Sequence, residues 1–425
     1  MPRQPMHGKP GAPGQPARAG EHGRGRRIAR AASAVVAELE DAVAAGQGPA
    51  ATARFWSHVE GSGTPLVEAL GPGECAVTFV WRDPSPAARP YVLANKLHDR
   101  TDPEGSAMCQ VAGTDVWHLT YRLPSDWRGS YQIGVGPPRE NVAEQLTDGR
   151  RRIDDGVGAS HADPRCGRTI GRGADVRSVA ELPDAPAQPY VGRRPGVAAG
   201  SLRECLVAGH VVWVYEPQRL TADAAAPLAV VLDGELWAGE LGLATTLDNL
   251  TADGRIEPAV VAMVATGAGE ARSARLIGDT EFAGWLVGGL IDWLRDGWPV
   301  SPDAQRTVFA GQSLGGLAAM RAALAFPGRV GNVLAQSASL WAPAANDPAL
   351  VPSARHRGLR VWMEVGSDEW INVAPNERFA EALSATGADV SFRTYRGGHD
   401  RVCWRGGIAD GLTALLPAAP RSQGG

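Results

Sequence analysis

The sequence has few cysteines, and their spacing does not suggest a disulfide framework or a metal site. The chain of 425 residues carries five, at positions 75, 109, 166, 205 and 403, with no C-x-x-C pair. An odd, scattered set is typical of free thiols in a reducing compartment rather than of a disulfide-rich or zinc-binding protein. We therefore expect free thiols without a catalytic role, and no metal ligands.

Long apolar runs and an excess of one charge are also missing. No stretch approaches the length of a transmembrane helix, and residues 1–27, rich in Pro, Gly and Arg, lack the apolar segment of a secretory signal. The formal net charge of −4 is close to neutral for this length, so nothing indicates binding to nucleic acid or to a membrane surface. We expect a soluble, cytoplasmic protein whose residues 1–27 are a disordered lead-in.

The length suits two domains, and the pattern of apolar residues changes near residue 200. An amphipathic helix over residues 27–46 precedes short alternating runs, separated by turn-rich stretches, that predict an all-β sandwich. Residues 139–199 are rich in Pro, Gly and Arg with little periodicity. We predict a helix plus β-sandwich domain over 28–138, a linker over 139–199, a second domain over 200–418 and a tail over 419–425.

The predicted second domain alternates short apolar runs with helical segments. Runs such as LAVVLDG, AVVAMVAT and RTVFAG are almost entirely apolar. Strands of this kind are buried on both faces, which indicates a mostly parallel sheet with helices on both sides. The fold class predicted for this part is α/β.

One pentapeptide supplies a candidate nucleophile. Ser313 stands in the G-x-S-x-G sequence GQSLG, between the apolar run TVFAG and the helical pattern GGLAAMRAALAF. The pattern alone is a weak indication in a chain with 53 glycines. The strand before and the helix after match the strand-to-helix turn that exposes a nucleophilic serine, whereas the alternative is a serine in a tight loop.

A candidate base follows the last predicted strand. His399 stands in the segment YRGGHD, where the histidine of an α/β-hydrolase is expected, and we interpret its two preceding glycines as freeing the loop to bring the imidazole to Ser313. The other histidines weighed for this role lie in the first domain, the linker or earlier segments: His58, His98, His118, His161, His210 and His356.

The acid that orients the histidine should follow the strand LRVWMEVG. We favour Glu369 and then Asp368; Glu364, within the strand, is a weaker candidate, and a Ser–His dyad without a fixed acid stays open. For the oxyanion hole, the backbone N–H groups of Leu314 and Glu235 are the candidates, since Glu235 follows the turn after an apolar strand.

Several longer segments resemble the enterochelin esterase family, which hydrolyses catecholate siderophores. In the first domain the similar segments are FWSHVEGSGTPLVE, VTFVWRD and GTDVWHLTYRLPSDWRGSYQI. In the second they are VLDGELW, TTLDNLTADGRI, AGQSLGGLAA, EVGSDEW and GGHDRVCWRGGIADGL. The resemblance spans most of the chain.

The resemblance implies further site residues. The family's arginine that binds or polarises the substrate corresponds to Arg272, which we expect beside the oxyanion hole, while Arg275 replaces a family glutamate. The implied substrate is a ferric catecholate siderophore, both anionic and aromatic, which suits arginines and flat apolar faces. Among 13 tryptophans, those in or beside the motif loops become candidate substrate contacts together with one arginine: Trp237, Trp341, Trp404 and Arg405.

The resemblance therefore implies a serine esterase that opens the trilactone of a siderophore such as ferric enterobactin and releases iron in the cytoplasm. It implies no cofactor of its own, since iron enters as part of the substrate. Two alternatives stay open: an esterase acting on another aromatic ester of the feruloyl type, and a siderophore-binding protein without catalysis. The sequence does not indicate the oligomeric state.

Overall fold

A computed structural model describes residues 28–85, 89–97, 103–136, 160–221 and 223–416. The predicted lead-in, the predicted tail and His98 lie outside the described residues. All five cysteines are described, and all are unpaired.

Two helices begin the described chain, α1 (Ala34–Ala44) and α2 (Gly48–Ser62). The side chain of Ser33 caps α1 by accepting a hydrogen bond from the N–H of Val36. Both helices bury their apolar faces in one small core, to which α2 contributes Phe55 and Trp56. This core also contains Val80 of the adjoining sheet, so the helices are fixed to that sheet.

In the N-terminal region the described residues form nine strands: β1 (Leu66–Gly71), β2 (Glu74–Arg82), β3 (Arg89–Ala94), β4 (Cys109–Gln110), β5 (Val116–Pro124), β6 (Arg128–Gly136), β7 (Ser160–His161), β8 (Thr169–Ile170) and β9 (Arg177–Glu181). They form two antiparallel sheets with the orders β1-β2-β5-β4 and β3-β6-β9-β8, and β7 pairs with β6. Both sheets contribute to one core, Phe79 and Tyr121 from the first and Val92, Tyr131 and Ile133 from the second.

The predicted boundary at residue 138 and the predicted linker over 139–199 are wrong for residues 160–199, and residues 139–159 lie outside the described residues. Strands β7, β8 and β9 lie within that range, and β9 pairs with β6 over Arg128–Tyr131. Later in the segment, the amide of Asn249 donates hydrogen bonds to the carbonyl oxygens of Tyr190 and Gly192. These strands are two to five residues long, too short to produce a periodic pattern in the sequence.

The catalytic region is built on a mixed eight-stranded sheet of order β10-β11-β13-β12-β14-β15-β16-β17. Strands β10 and β11 pair antiparallel, as do β11 and β13, and the remaining pairs are parallel. Their bounds are β10 (Ser201–Val207), β11 (His210–Glu216), β12 (Leu228–Leu232), β13 (Val260–Val264), β14 (Thr307–Gln312), β15 (Asn332–Gln336), β16 (Arg360–Gly366) and β17 (Asp389–Tyr395).

Within residues 223–416, seven further helices accompany this sheet: α3 (Leu243–Ala252), α4 (Gly269–Gly278), α5 (Thr280–Trp285), α6 (Ile291–Gly297), α7 (Leu314–Ala325), α8 (Trp370–Ser384) and α9 (Arg401–Leu415). Two separate cores meet the sheet. Val230 and Phe309 belong to the core shared with α7, whereas Val231 and Val308 belong to the core shared with α3 and α9. Neighbouring strand residues thus face opposite cores, and the predicted α/β architecture with helices on both faces is confirmed.

Shorter helical turns fill the connections. Leu236–Glu240 and Leu286–Leu290 are π-helical, and the 3-10 turns are Pro103–Gly105, Gly173–Asp175, Ala304–Arg306, Pro343–Asn346, Pro348–Leu350 and Ala354–His356.

Candidate active site

The candidate active site lies at the carboxyl ends of the parallel strands. The loops after β12, β14, β15, β16 and β17 carry Asp233, Ser313, Ser337, Glu369 and His399, in that order. Parallel strands end at the same edge of their sheet, so side chains far apart in the chain are brought together there.

Ser313 occupies a strained turn between β14 and α7. Its φ is 57° and its ψ is −122°, a conformation that non-glycine residues rarely adopt. Such a residue costs on the order of 1–3 kcal/mol and is held in place only by the surrounding structure. The N–H of Ser313 donates to the carbonyl oxygen of Gln336 (2.9 Å), and its Oγ lies 3.3 Å from the Oγ of Ser339.

The two glycines that flank Ser313 are needed because the turn is tight. A Cβ added to Gly311 would lie 2.4 Å from the carbonyl group of Gly315. A Cβ added to Gly315 would lie 3.1 Å from the Oδ2 of Asp233. The spacing of the G-x-S-x-G sequence therefore has a steric basis in this chain.

His399 and Glu369 form a short hydrogen bond, with 2.6 Å between Nδ1 and Oε2. Because an ionised carboxylate only accepts, Nδ1 carries the proton and Nε2 is left as the basic nitrogen. The side chain of His399 is 23% exposed, whereas that of Glu369 is 1% exposed. The pair thus has a buried acid behind a solvent-accessible imidazole.

The other two candidate acids have different partners. The Oδ2 of Asp368 accepts a hydrogen bond from the indole N–H of Trp127 (2.9 Å) in the N-terminal region. Glu364 is buried and accepts from Gln336 (2.6 Å) and Arg393 (2.7 Å). Of the three carboxylates weighed from the sequence, the structure brings Glu369 to the histidine.

Glu369 is held ionised by its neighbours. Burial on its own would raise the pKa of Glu369, but the hydrogen bond and charge of His399, together with bonds from the Oγ of Ser337 and the N–H of Gly366, outweigh burial and lower that pKa below its usual value. The amide of Asn372 donates a further bond to Oε2 at 3.1 Å. A carboxylate that stays charged in this position stabilises a protonated imidazole.

Ser337 was not identified from the sequence, although it connects several parts of the site. Its backbone is left-handed, with φ 49°. Its Oγ donates to Glu369 (2.6 Å) and accepts from the indole N–H of Trp404 (3.0 Å), and it lies 3.1 Å from the hydroxyl of Tyr395. Its place directly after the apolar strand β15 is the signal that would have found it, because polar residues at strand ends converge in this fold.

The loop after β12 holds Glu235, whose N–H is a candidate oxyanion donor. The carboxylate of Glu235 accepts hydrogen bonds from the N–H groups of Thr266 (3.1 Å) and Gly267 (2.8 Å), which fix the residue against the next loop. A Cβ on Gly234 would lie 2.4 Å from the backbone of Met263, so this turn requires glycine. The other candidate, Leu314, is the first residue of α7.

Arg272 pairs with a protein carboxylate. Its Nε and Nη2 both donate to Asp233, the latter at 2.7 Å, and Asp233 also accepts from Gln312 at 2.7 Å. Burial on its own lowers the pKa of Arg272, but the hydrogen bond and charge of Asp233 outweigh burial and raise that pKa. The edge of the guanidinium formed by Nε and Nη2 thus contacts Asp233, and the pair packs beside Gly315. Contact of Arg272 with substrate stays a prediction.

Two of the tryptophans predicted to contact substrate are buried. Trp237 is 1% exposed and donates from its indole N–H to Gln312 (3.1 Å). Trp404 is 8% exposed and packs edge-on against the imidazole of His399, with 4.7 Å between ring centres. The prediction of substrate contact is wrong for Trp237, since it fills the core, and Trp404 contacts the histidine rather than the cleft edge.

The two remaining predicted substrate contacts, Trp341 and Arg405, differ in their exposure to solvent. Trp341 is 52% exposed and follows shortly after Ser339, whose hydroxyl faces Ser313. Arg405 is partly buried, and its Nε donates to the amide oxygen of Gln188 (2.9 Å). Trp341 is thus the predicted aromatic contact that remains accessible beside the candidate nucleophile.

Within the described ranges, no three His, Cys, Asp or Glu side chains are grouped so that they could hold a metal ion. The helices in those ranges are likewise too short or too polar to cross a lipid bilayer.

Comparison with known proteins gives two domain families that lie side by side on this chain. The family described as "Enterochelin esterase, N-terminal" matches residues 76–191, and the family described as "Putative esterase" matches residues 210–415. The first match includes β7, β8 and β9, in agreement with their place in the N-terminal sheets.

Individual relatives are similar over most of their length. The iron(III) enterobactin esterase of Dickeya dadantii is 34% identical over 405 residues, covering 85% of this chain and 92% of the relative. The iron(III) salmochelin esterase of Escherichia coli is 31% identical, covering 89% and 97%. The crystal structure of the Shigella flexneri enterobactin esterase in the presence of enterobactin has a TM-score of 0.70 at 30% identity, covering 85% of this chain and 97% of that one.

Proposed function

The chain belongs to the enterochelin esterase family, and from this we propose that it hydrolyses the ester bonds of a catecholate siderophore such as ferric enterobactin. The observation that carries the proposal is the arrangement of Ser313 on a strained turn with the His399–Glu369 pair at the same edge of the sheet. The similar Shigella flexneri enterobactin esterase, whose structure was solved in the presence of enterobactin, supports the substrate class.

The reaction we propose has two halves. The Oγ of Ser313 attacks the ester carbonyl carbon while its proton passes to Nε2 of His399, and Glu369 stabilises the resulting imidazolium. The tetrahedral intermediate then breaks its bond to the leaving oxygen, which takes the proton from His399 as an alcohol. Water, deprotonated by the same nitrogen, attacks the acyl-enzyme, and Ser313 leaves with the proton restored.

The oxyanion that forms in both halves needs preorganised donors. We propose the N–H groups of Leu314 and Glu235 for this role. The position of Leu314 at the start of α7 and the two hydrogen bonds that fix the carboxylate of Glu235 support the assignment. Arg272 then contributes through Asp233, by shaping the turn on which Ser313 stands, and adds positive charge near the developing oxyanion.

Substrate contacts are proposed on accessible groups near Ser313. Trp341 offers an exposed indole face on which a catechol ring can stack. Arg405 stays a proposed contact at the margin of the site. The N-terminal region, whose two sheets share one core in the manner of a β-sandwich, covers the cleft in this proposal and shapes access.

Iron enters this reaction only as part of the substrate. Opening the trilactone removes the covalent preorganisation of the three catecholates, which weakens their hold on the ion. We propose that the reaction takes place in the cytoplasm and that the enzyme needs no cofactor of its own.

The test is product analysis by chromatography with purified wild type and the Ser313→Ala variant, each given ferric and iron-free enterobactin. Dihydroxybenzoyl-serine fragments should form with the wild type only, with the variant slower by a factor on the order of 10³ or more. A wild type that reacts with a fluorophosphonate probe yet leaves both forms of enterobactin intact would refute the siderophore substrate and direct the search to other aromatic esters.

A further inference from the structure

The loop that carries His399 rests on the N-terminal region. This loop, residues 396–400, joins β17 to α9. The side-chain amide of Asn95 donates to the backbone carbonyl of His399 at 2.8 Å. The N–H of Arg128, the first residue of β6, donates to the carbonyl of Arg396 at 3.2 Å. The loop of the candidate base is therefore held at these two points by a part of the chain that supplies none of Ser313, Glu369 and His399.

The two glycines of this loop, Gly397 and Gly398, allow its close contact with the N-terminal region. A Cβ added to Gly397 would lie 2.7 Å from the carbonyl oxygen of Arg128, and one added to Gly398 would lie 2.5 Å from that of Asn95. The sequence interpretation that these glycines free the loop to swing is therefore wrong. They remove bulk so that the backbones of the two regions can approach closely.

Asp400 bridges the two regions with a single carboxylate. Its Oδ1 accepts from the N–H of Val402 (3.0 Å) and thereby caps α9. Its Oδ2 accepts from both the N–H and the Oγ of Ser130, each at 2.7 Å. Asp400 and Ser130 are both buried, 4% and 2% exposed, and bonds of this kind to a charged acceptor in a low-dielectric site are strong.

The Ser130 end of the bridge is itself fixed. Arg177 of β9 donates from Nε to the Oγ of Ser130 (2.9 Å) and from Nη2 to the carbonyl of Leu93 in β3 (2.9 Å). One side chain therefore links three strands of the N-terminal sheet to the bridge. A rigid sheet, rather than a flexible loop, supports the bridge.

The acid loop touches the same region. The indole of Trp127, directly before β6, donates to Asp368, and the ammonium of Lys96 lies 5.4 Å from the ring centre of Trp370. Lys96 has a left-handed backbone, with φ 66°. The residues on both sides of Glu369 and the loop of His399 thus share one support.

We propose that the N-terminal region positions the base of the reaction. Asp400 and Asn95 are the positioning residues, because their hydrogen bonds join the His399 loop to that region. The inference rests on the proposed function in that it takes His399 as the base. It extends that function because the region acts on the chemical step as well as on substrate access. Displacements of about 1 Å in a catalytic group are enough to lower rates by up to ~100-fold.

The test separates helix capping from the bridge. In Asp400→Ser the shorter side chain still caps α9, because serine is a good N-cap residue, but it does not reach Ser130. A matched control is Asp303→Ser, since Asp303 caps the turn Ala304–Arg306 by accepting from the N–H of Gln305 and precedes β14 at the amino end of the sheet, away from the site. In both variants a serine replaces the capping aspartate, but only Asp400→Ser loses the hydrogen bonds to Ser130.

The readouts are steady-state kinetics with p-nitrophenyl acetate and the rate of inactivation by a fluorophosphonate. For Asp400→Ser we expect kcat and the inactivation rate to fall about tenfold together, with KM within about twofold of wild type. Asn95→Asp, whose carboxylate does not donate to the carbonyl of His399, should show the same pattern. Asp303→Ser should match wild type in all three quantities.

Two results would overturn the proposal. One is an Asp400→Ser enzyme whose thermal midpoint falls while its kcat equals that of Asp303→Ser, which would make Asp400 structural only. The other is an Asp400→Ser enzyme with unchanged kcat and inactivation rate whose KM alone rises when enterobactin is used as substrate, which would leave the region as a substrate cover. Because the small ester does not depend on the siderophore, a wild type that cleaves the ester and not enterobactin refutes the proposed substrate without affecting this test.

Discussion

At the scale of single residues, two adjacent carboxylates have different surroundings. Glu369 accepts from the imidazole of His399, while Asp368 accepts from the indole of Trp127. Both lie in the loop between β16 and α8, and the sequence favoured Glu369 before Asp368 without a spacing that decides between them. In the structure Glu369 faces the histidine loop and Asp368 faces the N-terminal region.

This difference predicts unequal effects of neutralising each acid. Glu369→Gln should lower kcat for p-nitrophenyl acetate by about 10³–10⁴, because an amide does not stabilise the imidazolium and favours the wrong tautomer. Asp368→Asn should lower kcat by less than about threefold, because its amide oxygen still accepts from Trp127. Equal losses in the two variants would show that the assignment of the acid is wrong.

The lowered pKa of Glu369 also predicts a pH dependence of stability. A carboxyl group with a depressed pKa in the folded state stabilises the fold fully above its unfolded pKa, about 4.3, and this contribution is lost as the pH falls through the folded value. Urea denaturation of wild type and Glu369→Gln between about pH 7 and about pH 3 should therefore show a stability difference that narrows on acidification. A widening difference would contradict the lowered pKa.

At the scale of elements, α9 packs against β16 without room for a side chain. A Cβ added to Gly407 would lie 1.9 Å from the Oε1 of Glu364. That carboxylate does not move aside easily, because Gln336 and Arg393 hold it by hydrogen bonds. Burial raises the pKa of Glu364 even though the nearby charge of Arg393 acts in the opposite direction.

Close packing at this point predicts that Gly407→Ala destabilises the protein by about 1–3 kcal/mol, as overpacked cores do. Gly284 in α5 is the matched control, since a Cβ there meets nothing within 4 Å. Gly284→Ala should leave stability unchanged or raise it by about 0.5–1 kcal/mol through helix propensity. Urea denaturation measures both, and a Gly407→Ala protein as stable as wild type would mean that α9 shifts freely on the sheet.

Elements differ in how far the sequence predicts them. The apolar strands β12, β14 and β15 and the helix after Ser313 were predictable, because burial on both faces leaves a clear pattern. The strands β8 and β9 were missed because they are short and carry polar residues such as Arg177 and Ser178. The burial of Trp237 was missed as well, since a motif gives a residue's place in the chain and not the direction of its side chain.

At the scale of the whole molecule, the site is assembled from distant parts of the chain. Asn95 and His399 are separated by 304 positions, and Ser130 and Asp400 by 270. No local pattern marks such pairs, so the sequence predicted a nucleophile and a base without the structure that holds the base. The hydrogen bonds across the two regions are what join the halves into one functional unit.

The hydrogen bonds between the two regions predict the order in which activity and protection from hydrogen exchange are lost in urea. Activity toward p-nitrophenyl acetate should be lost no later than the urea concentration at which the backbone amides of β6 lose protection from hydrogen exchange, even if the parallel sheet is still protected there. Parallel activity and hydrogen-exchange titrations would measure this. Activity that survives after β6 has opened would show that the histidine loop keeps its place unaided.

Lysine is nearly absent from this arginine-rich chain, which contains only Lys9 and Lys96. Lys96 lies where the N-terminal region contacts the acid loop, with its ammonium above the ring of Trp370. Amine-directed reagents therefore address two side chains besides the α-amino group, and Lys96 is the one beside the acid loop. A dye coupled to Lys96 would report on opening of this contact without any engineered cysteine, and cleavage by a lysine-specific protease after Lys96, as distinct from Lys9, would report the same opening.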